Sequence, residues 1–203
     1  MPILEFNKRK VLFIHIPKTG GTSLLFWLSK VGKIHLYEIS VPGFMKVAPQ
    51  HLLHDDIIRL LPFVNFDYTF AVVRNPYTRL ESEYFYRTLK FFNRSGKRPS
   101  FTDWVLKRIE EYHKNRFVLD NHIRPQSHFI AEGVEIFKYE DGLDMVKTKL
   151  EKDFNIVSKD TLTHLNQSVE KCKLTWTSEL RLTVNDFYKD DFELFSYEML
   201  IPK

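Results

Sequence analysis

At 203 residues, 43% hydrophobic and 28% charged, the chain has the composition of a globular protein and a length that suits one domain, residues 1–203. The single cysteine, Cys172, excludes an internal disulfide framework, and no stretch approaches the ~20 apolar residues that span a bilayer. A net charge of +4 and a pI near 9.0 suit an acidic ligand without choosing among nucleic acid, anionic polysaccharide, a phosphorylated small molecule or simple solubility.

At the N-terminus, Lys8, Arg9 and Lys10 interrupt any signal-peptide core, so the chain as given reads as soluble and cytoplasmic. A luminal piece of a longer protein stays open. Val11–Ile16 is an apolar, β-branched run closed by Pro17, which suits a buried parallel strand. Gly20–Val31 follows as a helix with Leu24, Leu25, Leu28 and Val31 on one face. Lys33–Ile39 alternates as a second strand, and the stretch from Val41 to Ala48 is a loop. His51–Leu61 has helical spacing and stops at Pro62. Tyr68–Val73 is another buried strand, ended by Arg74-Asn75-Pro76. Thr78–Leu89 reads as a helix and Phe91–Pro99 as a basic surface loop carrying Arg94, Lys97 and Arg98. Ser100 with Asp103 caps a helix through Ile109. Val134–Tyr139 is a strand, Leu143–Phe154 and Ser178–Tyr188 are helices, and Asp191–Tyr197 is an aromatic tail. Strands alternating with helices predict an α/β domain whose mostly parallel sheet is flanked by helices.

The densest chemistry follows the first strand, in Pro17-Lys18-Thr19-Gly20-Gly21-Thr22-Ser23. Strand, glycine turn and helix N-terminus together make an anion cradle: glycines admit the ligand, N–H groups point at it, and the helix dipole favours negative charge. Lys18 adds a cation and Thr19, Thr22 and Ser23 add hydroxyls. An ordinary Gly-Gly turn is the bland alternative. Lys18 precedes the glycines, whereas the nucleoside-triphosphate loop places its lysine after them, which weakens a kinase or NTPase reading without removing it. A non-catalytic anion- or glycan-binding module using Arg94, Lys97 and Arg98 is a second alternative. No zinc-finger or aromatic-interleaved signature supports a nucleic-acid partner.

In open α/β sheets ligands sit beyond the carboxyl ends of the strands. The second such end carries Arg74, with Ser82 eight residues later, so a guanidinium fork and a hydroxyl can hold a phosphate over a helix start. Together the two segments resemble the sulfotransferases that use 3′-phosphoadenosine 5′-phosphosulfate (PAPS), in the carbohydrate branch typified by heparan sulfate 2-O-sulfotransferase. The resemblance is dense over residues 11–24 and 70–86 and thin elsewhere, with weaker matches at Gln50-His51, Arg124-Pro-Gln-Ser127, His164-Leu-Asn-Gln-Ser168 and Asp191-Phe-Glu-Leu-Phe195.

This resemblance implies a P-loop-like sulfotransferase fold, a PAPS co-substrate and an acceptor hydroxyl, tilted towards a carbohydrate. It implies Lys18 at the phosphate–sulfate bridging oxygen, Thr19, Gly20, Gly21, Thr22 and Ser23 around the 5′-phosphate, and Arg74 with Ser82 on the 3′-phosphate. Ser168 and Lys171 match residues that close over the donor, although Asn166 and Gln167 depart from the pattern. His51 is the expected general base, with His54 its competitor on one helix face. His15 reads as structural, with a supporting role open. Arg124 and Gln126 are candidate acceptor contacts. No metal is expected, since His51 and Asp55 at i, i+4 are no more than a pair. Oligomeric state and acceptor identity are left open.

Overall fold

The computed structural model describes residues 1–95, 98–163 and 174–201. The chain divides into two compact units, Met1–Arg74 with His128–Asn166 and Asn75–Ser127 with Gln167–Lys203.

The first unit holds a five-stranded sheet in the order β3-β1-β2-β4-β5. Its strands are β1 (Ile3–Phe6), β2 (Arg9–Ile14), β3 (Lys33–His35), β4 (Tyr68–Val73) and β5 (Glu135–Lys138). The α/β class agrees with expectation, but the sheet is mixed. β1 pairs antiparallel with β2 and β3, while β2, β4 and β5 form a parallel half.

Composition signals missed β1, because the charged run Lys8-Arg9-Lys10 looks like an interruption. It is instead the corner of a hairpin. Asn7 and Lys8 both take positive φ, +49° and +68°, as a two-residue primed turn requires. Glu5 then faces Lys10 across the pair.

Helix α1 (Gly21–Val31) buries Leu24, Leu25, Trp27 and Leu28 on one sheet face, against Leu4, Phe6, Val11, Phe13, Phe70 and Val72. α5 (Asp144–Phe154) adds Val146, Leu150 and Phe154 to that core. Leu12, Ile14, Ala71 and Val73 alternate onto the opposite face and are equally buried, which explains why β2 and β4 read as continuous apolar runs. The expected helix over His51–Leu61 is shorter. A single 3₁₀ turn, Pro49–His51, precedes α2 (His54–Leu60), whose N-terminus is capped by Asp56 accepting from the Leu53 N–H at 2.9 Å.

The second unit is helical: α3 (Pro76–Ser95), α4 (Phe101–Lys114), α6 (Ser178–Phe187) and α7 (Lys189–Leu194). Their core is aromatic, with Tyr77, Tyr84, Phe101, Trp104, Tyr112, Tyr188 and Phe192. α3 runs on through Ser95, so the expected loop beginning at Phe91 is largely helix, and residues 96–97 of that segment lie outside the described residues. Ser100 caps α4 as expected, accepting from the Asp103 N–H at 3.1 Å, and the helix extends past Ile109 to Lys114. The aromatic tail begins inside α7, whose buried Asp191 accepts from the N–H groups of Gln126 and Ser127 at 2.8 Å each.

Candidate active site

β2 delivers the chain into the segment His15–Gly20, and Gly20 is the N-cap of α1. Lys18 and Gly20 have φ of +70° and +86°, whereas Thr19 between them does not enter the left-handed region. Alternating hand along consecutive residues is the backbone pattern of a nest, in which successive N–H groups can face an anion. For lysine this conformation costs about 1–2 kcal/mol, a strain typical of ligand sites. The helix start adds the first-turn N–H groups of Gly21 and Thr22, which helix geometry leaves without intrahelical acceptors. The N–H groups of Ser23 and Leu24 instead reach back to the Gly20 carbonyl at 3.1 and 3.2 Å. Thr19 is fully buried and its hydroxyl donates to the Ile16 carbonyl at 2.9 Å. That hydroxyl therefore closes the turn, and Thr19 can serve an anion through its backbone alone.

The two glycines are dictated by neighbours as well as by φ. A Cβ on Gly20 would lie 2.9 Å from Leu143 Cδ1 and 3.0 Å from the Tyr139 ring. A Cβ on Gly21 would fall 2.1 Å from Cδ2 of His15. The His15 imidazole thus rests directly against the first residue of α1. It stacks on Phe13, with centroids 5.6 Å apart, and its ring centre is 5.2 Å from that of His51. Both histidines are buried. His51 is therefore joined to the loop through His15, a link that no spacing rule reveals because residue 51 reaches residue 15 through the fold. His54 begins α2 instead, half-exposed and 3.3 Å from Asp55, so the two histidines do not share a helix face.

Arg74 sits immediately beyond β4. The parallel register Ile14↔Ala71 brings the C-terminal ends of β2 and β4 side by side, and the Arg74 guanidinium donates to the Lys18 carbonyl at 3.3 Å. The lysine loop and the arginine, 56 residues apart in sequence, thus meet within the first unit.

The remaining candidates are distributed differently. Ser82 lies half-buried on α3 in the second unit. Arg124 is buried and its guanidinium donates to Asn121 Oδ1 at 3.1 Å and to the Arg116 carbonyl at 3.3 Å. Gln126 is fully buried against Asp191. Neither side chain is turned to solvent, so both act first as internal braces of the second unit. Ser168 and Lys171 lie outside the described residues.

A charged cluster that no spacing rule announces lies next to Asn121, the residue that Arg124 holds. Leu119, Asp120 and Asn121 are consecutively left-handed, with φ of 52°, 59° and 63°. The turn presents His122, whose Nδ1 lies 2.7 Å from Glu83; Arg87 donates to the same carboxylate, also at 2.7 Å. Burial raises the Glu83 pKa, but His122 and Arg87 together outweigh it and hold the group at about 2, against an ordinary 4.5.

A model of the sulfotransferase family matches residues 3–198, and the chain belongs to that family. No curated protein and no solved structure matches it at a significant level.

Proposed function

We propose that this sulfotransferase transfers a sulfuryl group from PAPS to an acceptor hydroxyl on a carbohydrate, by in-line displacement. The observation that carries the reading is the meeting of Arg74 with the Lys18 loop. A donor with phosphates at both ends of one adenosine needs two anion sites within one nucleotide's reach, and the 3.3 Å contact between Arg74 and the Lys18 carbonyl supports that reading.

The nest at Lys18–Gly20 and the first turn of α1 suit the 5′-phosphosulfate. Arg74 suits the 3′-phosphate, and the family resemblance assigns Ser82, Ser168 and Lys171 to the same donor. As the acceptor oxygen bonds to sulfur, the bond from sulfur to the 5′-phosphate oxygen breaks. The electron pair stays on that oxygen, where Lys18 offsets the growing charge. His51 takes the acceptor proton, a step of the kind that contributes roughly 10²–10⁴-fold. The carbohydrate acceptor and the kinship with the heparan sulfate 2-O-sulfotransferase branch rest on resemblance. A groove along α1 from Thr22, lined by Phe26, Tyr37 and Glu38, offers ring faces and a carboxylate of the sort a sugar uses.

Radiolabelled PAPS supplied with a panel of glycans, lipids, phenols and peptides tests the reading. Label moving to a glycan hydroxyl, and lost in Lys18→Ala, supports it. Transfer from ATP with Mg²⁺ but none from PAPS would overturn it.

A further inference from the structure

The end of β5 lies next to the end of β4, and one aromatic residue there touches both halves of the proposed anion site. In register, Val73 pairs with Lys138, so the following residues, Arg74 and Tyr139, leave the parallel strands side by side. The Arg74 guanidinium lies over the Tyr139 ring, 4.5 Å from its centroid. The same ring rests against the Cα of Gly20, where an added Cβ would meet Cε2 at 3.0 Å and Cδ2 at 3.1 Å. Arg74 is thus held on two sides, by the ring beneath it and by the Lys18 carbonyl at 3.3 Å. Stacking fixes the plane of a guanidinium and leaves its donors pointing outward along its edge, the geometry that bidentate phosphate recognition needs.

Resting on the proposed assignment of Arg74 to the 3′-phosphate, we propose that Tyr139 is a positioning residue that sets the enzyme's preference for a 3′-phosphorylated nucleotide. It acts through the orientation of Arg74 and touches no reacting atom. The aromatic face is what matters, so phenylalanine should replace it.

The test is calorimetric titration of adenosine 3′,5′-bisphosphate and of 5′-AMP into wild type, Tyr139→Phe, Tyr139→Leu and Arg74→Ala, with Tyr139→Met standing in if the leucine variant does not fold. Tyr139→Phe should keep the wild-type ratio of the two affinities. Tyr139→Leu should lower that ratio roughly 3- to 30-fold, the range of a cation–π contact, by weakening the bisphosphate while 5′-AMP binds as before. Loss of both ligands in equal measure, or of neither, would overturn the proposal while leaving Arg74 in place. A ratio unchanged in Arg74→Ala would instead remove the parent assignment, and the role of Tyr139 with it.

Discussion

Gly21→Ala sets two opposed effects against each other, and the structure decides between them. Gly21 has no positive φ and opens α1, so helix propensity alone favours alanine by up to about 1 kcal/mol. The new Cβ, however, would sit 2.1 Å from Cδ2 and 2.2 Å from Nε2 of His15, and its third-nearest neighbour is also that ring. The imidazole cannot retreat easily, because it is buried between Phe13 and His51. Overpacking of this kind costs about 1–3 kcal/mol, so clash should win over propensity. At 2–4 °C per kcal/mol for a chain of roughly this size, Gly21→Ala should lower Tm by several degrees. In a His15→Ala background every close contact is gone, and Gly21→Ala should become neutral or stabilising. Thermal denaturation of the four proteins of this double-mutant cycle reads the coupling directly. A Gly21→Ala penalty of equal size in both backgrounds would refute the assignment of that clash to His15.

Other variants probe the chemistry and the second unit. Lys18→Ala should cut turnover by at least about tenfold while weakening adenosine 3′,5′-bisphosphate far less, since the proposed mechanism needs its charge most in the transition state; steady-state rates and titration separate the two. His51→Asn should abolish most transfer and flatten its pH–rate profile, whereas His54→Asn, changing a half-exposed residue beside Asp55, should alter neither. Glu83, with its pKa held near 2 rather than 4.5, lends stability that is complete above pH 4.5 and lost as pH falls towards 2. Glu83→Gln should remove about 3 kcal/mol of that acid-sensitive stability, seen as a flatter dependence of denaturant midpoint on pH between those limits.

The parts of the fold that were legible were those whose signals are local. β4 and α1 follow from an apolar run and a 3.6-residue stripe, and the cap at Ser100 follows from its own three-residue pattern. The β1–β2 hairpin was hidden because Asn7-Lys8 carries no glycine and its lysine looks like solvent-facing charge. The extra helix α7 was hidden because Asp191, a polar residue, is its buried anchor. At the candidate site, the loop and Arg74 were visible as motifs, but their contact depends on the parallel register of β2 and β4. The packing of His15 against Gly21, the internal use of the Thr19 hydroxyl and the ring of Tyr139 under Arg74 are tertiary facts with no periodicity to announce them.

The most direct measurement is the position of the two phosphorus atoms in a crystal of this protein grown with adenosine 3′,5′-bisphosphate. The 5′-phosphate should lie against the backbone N–H groups from Thr19 to Thr22, and a 3′-phosphate oxygen should lie ~3 Å from the Arg74 guanidinium. A nucleotide whose phosphates bind elsewhere, with the Lys18 loop and Arg74 untouched, would contradict the account.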